Sequence, residues 1–242
     1  MIDENKTKEH IITCSHHCMA VVGGFMGGYA ILARGDLFGN AQTANMISLI
    51  HAILGKDFLH FLLRLLALAF YVMGTVSFVM FKNKTNWNVK KVSLWIDFLV
   101  VVLLGFFPAS MESVIALFPV FFAMSFQWNA FPGNYGYVSS TIFSTNNLKQ
   151  TTLALSEYLC DKDRKHLHKM WFFLGSLLCF HVGVVISYIA VKYMGVKGVW
   201  LNSCTLFVAA VLVCLENRLE TKWEKTKFPL PGTLLHGRAH HV

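Results

Sequence analysis

The chain has 242 residues, of which 55% are hydrophobic and 14% are charged, and its formal net charge at pH 7 is +8. Ordinary soluble domains carry roughly 25% charged residues, so this composition excludes that class and favours an integral membrane protein. The basic residues stand in short clusters between apolar segments, which argues against a nucleic-acid-binding face and a nucleic-acid partner.

The first apolar segment, Ile11 to Ala33, is long enough to cross as a helix the roughly 30 Å hydrocarbon core of a bilayer. The residues before it are polar, and the segment itself is too long for the apolar region of a signal peptide and lacks a small-residue cleavage site, so we expect it to remain as the first span. Gly23, Gly24, Gly27 and Gly28 form two overlapping GxxxG patterns. They predict close helix packing, either within the chain or between two copies in a homo-oligomer.

A stripe of thiol and imidazole groups lies at the start of the same helix, at i, i+4, i+7 and i+8: His10, Cys14, His17 and Cys18. Zinc and copper prefer such ligands. One straight helix cannot surround a metal, however, and the chain offers no partner pair such as CxxC. Histidines near the C-terminus could add ligands or form a solvated tail: His236, His240 and His241. We predict a packed helix stripe with no resident metal or cofactor, and keep metal handling as an alternative function.

The segment from 36 to 55 is long enough to enter the bilayer, but its first half is polar. Asn40, Gln42, Thr43 and Asn45 bring amide and hydroxyl groups together within a few residues. Such groups suit a small polar or anionic solute, so we predict a re-entrant or broken helix whose polar residues bind substrate. The alternative is that these side chains only join one helix to another by hydrogen bonds.

Three further apolar segments follow, at Phe58 to Phe81, Val92 to Ala109 and Ser113 to Phe131. Arg64 lies about six residues, or roughly 9 Å, into the first of these. Its side chain either extends to the membrane surface or belongs to the substrate site, because charges inside a membrane are costly and usually serve function.

A second polar segment occupies residues 136 to 158 and contains Ser144, Thr145 and Asn147 as candidate substrate-binding residues. If the helices of both polar segments begin near the midplane, their positive dipole ends would favour a negative group there. The last two apolar segments are Met170 to Met194 and Val199 to Leu215. His181 lies in the middle of the former, where a packed histidine is the usual interpretation.

The distribution of Lys and Arg predicts the topology, because these residues accumulate in short cytoplasmic loops. Six spans with a cytoplasmic N-terminus place most of the 21 basic residues inside. If both polar segments crossed fully, the Lys82 to Lys91 cluster would lie outside. We therefore predict six spans with both termini cytoplasmic, with a basic tail at 216–242. The first polar segment then enters from outside and the second from inside.

The chain is predicted to be one all-α polytopic membrane domain, 1–242, made of two halves, 11–109 and 113–215. Each half has a span, a polar segment and two more spans, and QTANMISL at residue 42 is echoed by STNNLKQT at residue 144. Three spans per half is an odd number, so the repeat must be inverted. Inverted repeats with broken helices that meet near the midplane are typical of secondary transporters.

The motifs in both halves resemble those of the YoaK-like family of bacterial membrane proteins, whose function is unknown. The family's Thr-Gly-Asn motif matches two triplets here, each with its central glycine replaced: Thr43, Ala44, Asn45 and Thr145, Asn146, Asn147. The stretch SFQWNA at 125–130 matches a second family motif and adds Gln127 and Asn129 to the candidate substrate-binding residues. The resemblance implies a protein of the bacterial inner membrane with two related halves.

The sequence predicts a secondary transporter or channel for a small polar or anionic solute. No catalytic motif such as HExxH, a P-loop or GxSxG occurs, so we predict no enzyme and no catalytic residues. A second hypothesis is a non-transporting membrane module that senses a ligand or binds a partner through the GxxxG face.

Overall fold

The structure is a computed structural model built almost wholly from helices, and it confirms the predicted all-α class. It describes the backbone of residues 2–35 and 37–227 and the side chains of 6–35 and 37–221. Within these residues there are nine α-helices, α1 to α9: Ile2–Ala33, Thr43–Leu54, Phe58–Lys84, Val89–Phe106, Ser113–Ala116, Phe118–Ala130, Thr145–Asp161, Arg164–Met194 and Asn202–Lys227. A 3₁₀ helix, Gly195–Leu201, joins α8 to α9, and strands β1 (Gly133–Asn134) and β2 (Tyr137–Val138) form a short antiparallel hairpin.

Helices occupy all six predicted spans, but their lengths differ from those expected. In the described part of the chain, three stretches are long and apolar enough to cross a membrane: Lys6–Ala33, Phe58–Lys84 and Arg164–Thr221. The last stretch covers both α8 and α9. Helix α4 has only 18 residues and contains Lys90, Lys91 and Asp97. The predicted fourth span is divided at Leu117, and Pro119 lies in the first turn of α6.

Helix α1 forms the centre of the molecule. Of its apolar window 67% is buried by other parts of the chain, compared with 17% for α3. Helix α1 packs against α8 and α9, whereas α6 packs against α3 and α4. Each short polar-segment helix lies against the long helix that follows it, α2 on α3 and α7 on α8.

The predicted GxxxG patterns serve packing inside the chain. Gly23, Gly24, Gly27 and Gly28 are all buried. A Cβ atom on Gly24 would lie 1.9 Å from the carbonyl oxygen of Phe180 in α8, and one on Gly23 would lie 2.1 Å from that of Thr141. Glycine is therefore required where α8 and the second polar segment approach α1 most closely.

Large apolar side chains cover the outer surface of the long helices. On α3, α8 and α9 they include Val76, Met80, Val182, Val185, Phe207 and Val208, all about half exposed or more. Exposed apolar surface on this scale is unusual for a monomeric soluble protein. The fold is therefore that of a helical, partly apolar protein, consistent with a membrane protein.

Helix α3 begins at a side-chain cap that makes a pH-dependent contribution to stability. The Asp57 carboxylate accepts hydrogen bonds from the His60 backbone N–H at 3.1 Å and ring Nδ1 at 2.7 Å. The backbone hydrogen bond lowers the pKa of Asp57 below its usual value. Because the folded-state pKa is the lower one, the stabilisation is complete above the unfolded pKa of about 3.9 and disappears as pH falls through the folded pKa.

We expect Asp57→Ala to lower the melting temperature at neutral pH, because it removes the cap. Asp57→Asn should keep most of the cap but lose the additional destabilisation at acidic pH. Melting curves of the three proteins from pH 3 to pH 7 measure both effects. An Asp57→Asn protein with the same acid dependence as the wild type would contradict this assignment.

Candidate functional site

The first polar segment enters the molecule as non-helical chain before α2 and is fixed at its start by a buried arginine. Arg34 is 1% exposed and donates hydrogen bonds to the carbonyl oxygens of Pro108 at 2.9 Å and Phe107 at 3.3 Å. These carbonyls follow α4, so Arg34 joins the C-terminal ends of α1 and α4. Asn40, farther along the segment, is fully buried.

The second polar segment is organised by Asn147 in the first turn of α7. The Asn147 side chain is fully buried and donates a hydrogen bond to the carbonyl oxygen of Ser140 at 2.7 Å. Its Oδ1 accepts hydrogen bonds from the Ser140 backbone N–H at 3.2 Å and the Ser139 hydroxyl at 3.0 Å. Asn147 therefore holds residues 139–140 in a buried, non-helical conformation.

The two polar segments meet beside α1. Asn40 Nδ2 donates hydrogen bonds to the carbonyl oxygen of Gly23 at 2.7 Å and to that of Ile142, in the second segment, at 2.8 Å. Gln127 Nε2 donates to the carbonyl oxygen of Met19 at 3.1 Å and to the Thr141 hydroxyl at 3.0 Å. Asn40 and Gln127, predicted site residues from different halves, thus contact carbonyl groups of α1 that are one turn apart.

A histidine that the sequence analysis overlooked completes this central cluster, which we define as His16, Asn40, Gln127, Ser139, Thr141 and Asn147. His16 is 2% exposed, stacks on Phe172 with ring centroids 5.4 Å apart, and its Nε2 lies 3.0 Å from the Ser139 hydroxyl. His16 was not included in the predicted stripe on α1, because its position does not fit the helical spacing of the other imidazole and thiol groups. A histidine inside an apolar span was the available signal.

Gln42 and Asn45 form a separate pair between α2 and α3. Asn45 Nδ2 donates to Gln42 Oε1 at 2.7 Å and to the backbone carbonyl of Arg64 at 3.0 Å. The Arg64 side chain is only partly buried and lines a cavity of about 400 Å³ with His51, Asp57 and His60. The structure therefore places Arg64 in a surface cavity between α2 and α3, apart from the central cluster.

The other predicted site residues lie at the edges of the two segments. Thr43 and Thr145 are exposed, and Ser144 is partly exposed at the N-cap of α7. Asn129 is partly buried and donates to the carbonyl oxygen of Ser125, one turn earlier in α6.

The starts of α2 and α7 have the same geometry. In each helix the matched Asn, Asn45 or Asn147, is the third residue and is buried, while the Thr two positions earlier is exposed. The N-cap backbone angles are φ −97° and ψ −10° at Gln42, and φ −98° and ψ −24° at Ser144. Neither cap residue accepts a side-chain hydrogen bond from a backbone N–H of its helix.

Two buried acidic residues were also missed in the sequence. Asp97 is 2% exposed in α4, and its Oδ2 accepts a hydrogen bond from the Ser93 hydroxyl at 3.3 Å. Glu216 in α9 forms an ion pair with Lys90 at the start of α4. The single carboxylate in a long apolar run was the signal for Asp97.

Two residues of the predicted thiol and imidazole stripe make packing contacts, whereas His10 is exposed. His17 Nε2 contacts the carbonyl oxygen of Phe172 at 3.1 Å, and the Cys18 thiol contacts that of Thr205 at 3.7 Å. Among the described residues no group of three or more His, Cys, Asp or Glu side chains could hold a metal. The terminal histidines lie outside the described residues: His236, His240 and His241. His181 is exposed on α8, and its Nδ1 bonds to the Leu177 carbonyl.

Comparison with known proteins gave one result that bears on identity. The family described as "Protein of unknown function (DUF1275)" matches residues 16–212. Searches of curated proteins and of solved structures each gave no match. The matched residues include every residue of the central cluster.

Proposed function

Because this chain belongs to the DUF1275 family of proteins of unknown function, we propose a function from its own residues: transport of a small polar solute across a membrane. The protein would act as a secondary transporter or channel of the bacterial inner membrane, without an enzymatic step. The solute binds where the two polar segments meet.

The hydrogen bond from Asn40 to the Ile142 carbonyl carries this proposal. It joins two non-helical segments that are 102 residues apart in sequence and are both buried at the centre of a helical fold. Non-helical backbone is tolerated at membrane depth only where protein covers it or where it lines a cavity. Transporters use such breaks to bind solute near the midplane.

Contacts at the helix ends support six spans. Lys8 pairs with Glu220 at 3.3 Å, and Lys90 pairs with Glu216, so the starts of α1 and α4 lie beside the end of α9. Arg34 joins the opposite ends of α1 and α4. These contacts are those expected when successive long helices alternate in direction and both termini lie on the same side of the membrane.

The helix pairings support an inverted repeat. If α1, α2, α3 and α4 are matched with α6, α7, α8 and α9, the packing of α1 on α8 corresponds to that of α6 on α3. The same exchange relates α1 on α9 to α6 on α4, and α2 on α3 to α7 on α8. The matched geometry of the α2 and α7 N-termini agrees with this relation.

Solute flux into vesicles reconstituted with the purified protein tests the proposal. A panel of amines, amides, sugars, amino acids and small anions should contain at least one solute that enters faster than into protein-free vesicles. Asn40→Leu, which removes two buried hydrogen bonds, should reduce that flux by at least roughly tenfold. Thr43→Val, at an exposed neighbour, is the control and should retain most of the flux.

A wild-type protein that moves none of these solutes would contradict transport. Such a result, together with one protein co-purifying at fixed stoichiometry, would favour the alternative of a non-transporting membrane module. Unchanged flux in Asn40→Leu would instead contradict the central cluster as the site.

A further inference from the structure

We infer that the central cluster binds a small N–H donor, an amine or an amide, through three acceptor atoms: His16 Nδ1, Asn40 Oδ1 and Gln127 Oε1. This inference rests on the proposed function and names the chemical class of its solute. It differs from the sequence-based expectation, which also allowed an anionic solute.

The hydrogen-bond chain around Ser139 determines which nitrogen of His16 carries the proton. Asn147 is oriented by its bonds to the Ser140 carbonyl and N–H, so its Oδ1 faces the Ser139 hydroxyl as an acceptor. Ser139 has one hydrogen, and it donates this hydrogen to Asn147 at 3.0 Å. The Ser139 oxygen must then accept from His16 Nε2–H, which leaves Nδ1 as a bare lone pair.

The two amides are oriented in the same way by their backbone partners. Asn40 and Gln127 each use their NH₂ group on a main-chain carbonyl of α1. Their side-chain oxygens consequently point away from those carbonyls. Asn40 Oδ1, Gln127 Oε1 and His16 Nδ1 are buried and accept no hydrogen bond within the described residues, and the His16 ring also lies beside the backbone carbonyl of Phe131, a second acceptor for its N–H.

The three acceptors follow one face of α1. His16 belongs to that helix, Gln127 is bonded to the Met19 carbonyl and Asn40 to that of Gly23. Seven residues of helix, from His16 to Gly23, span roughly 10 Å. The acceptors are therefore distributed along a length of α1 comparable to one small solute or a short series of solute positions.

An acceptor without a donor is costly when buried, so its natural ligand is a group that donates hydrogen bonds. An anion offers only acceptors and would leave all three atoms unsatisfied. Lys90, a cation whose charge acts on His16, is already paired with Glu216. Amines and amides offer two or three N–H donors, which match the three acceptor atoms of the cluster.

Thermal unfolding of the detergent-purified, full-length protein tests the inference, with methylammonium and acetamide as donor probes and acetate and nitrate as anion probes. At a concentration about a hundredfold above its dissociation constant, a donor probe should raise the melting temperature by roughly 5 to 10 °C. The anions should leave it unchanged. Stabilisation by the anions, or by neither donor, would overturn the inference.

His16→Gln provides the site-specific test, because a glutamine amide can still donate to Ser139 but carries no lone pair at the position of Nδ1. Affinity for the donor probe should fall at least roughly tenfold, which corresponds to the loss of one hydrogen bond. His17→Gln, at the partly buried neighbour that contacts Phe172, is the matched control and should bind normally. Unchanged affinity in His16→Gln would contradict the role of Nδ1.

If His16→Gln does not fold, nitrogen NMR of the wild-type protein with labelled histidine decides the point. The His16 ring should be neutral with its proton on Nε2, and the Nδ1 signal should move when the donor probe is added. A proton on Nδ1 would overturn the inference. Donor binding without flux would contradict only the proposed transport, whereas flux of anions without donor binding would contradict only this inference.

Discussion

Gly24→Ala should leave little folded protein, because the new methyl group would lie 1.9 Å from the backbone oxygen of Phe180. Overpacking of a core usually costs about 1–3 kcal/mol, and more where the colliding atom belongs to a rigid helix backbone. We expect a loss of about 3 kcal/mol or more in the free energy of unfolding, a large part of the roughly 5–15 kcal/mol typical of folded proteins. Yield of monodisperse protein and its melting temperature measure the effect.

Gly28→Ala is the matched control on the same helix face. Its methyl group would lie 3.1 Å from the nearest atom, Cβ of Ser187, and 3.3 Å from the backbone Cα of Val184, so α8 is more than 1 Å farther away here than at Gly24. We expect a loss of less than about 1.5 kcal/mol. Equal behaviour of the two variants would contradict the close crossing of α1 and α8 at Gly24.

Asn147→Leu should be the most damaging change in the polar segments. It removes three hydrogen bonds and leaves the buried N–H and carbonyl of Ser140 without their partner. Each unsatisfied buried group costs about 1–3 kcal/mol, so we expect a loss of at least about 3 kcal/mol in the free energy of unfolding. Thermal unfolding measures this loss of stability. If the variant also loses solute flux, we expect the loss of flux to occur together with the loss of stability.

Two further variants separate the hydrogen bonds from the volume change. Asn147→Asp keeps the volume and the acceptor for Ser139 and for the Ser140 N–H but sets a buried carboxylate oxygen against the Ser140 carbonyl, and should also lose stability. Asn146→Leu makes the same substitution at the partly exposed neighbour and should have little effect. Full stability of Asn147→Leu would show that residues 139–140 do not depend on this side chain.

The sequence predicted the helical class and where along the chain the two polar segments occur, because these depend on local patterns. Apolar runs locate helices, and the triplets at 43–45 and 145–147 mark equivalent helix starts. Gln127 was found through the same family resemblance. Helix lengths were less predictable, since Pro119 and the short loop at Leu117 shorten α6 within a continuous apolar run.

The central cluster could be predicted only in part, because long-range contacts define it. His16 and Ser139 are 123 residues apart, and no local spacing relates them. For Arg64 the sequence left open extension to the membrane surface or a place in the substrate site, and its side chain lines a cavity between α2 and α3. Asn147 was predicted as a solute ligand. In the structure its side chain already makes three hydrogen bonds to residues 139–140.

The central claim is that two polar segments enter the membrane domain from opposite sides and meet beside α1. Single cysteines at the exposed positions Thr43 and Thr145, in a background without the six native cysteines, test it most directly. In sealed vesicles of known orientation, a membrane-impermeant thiol reagent should label position 43 only from outside and position 145 only from inside. Labelling of both positions from the same side would contradict the inverted arrangement and the transport proposal based on it.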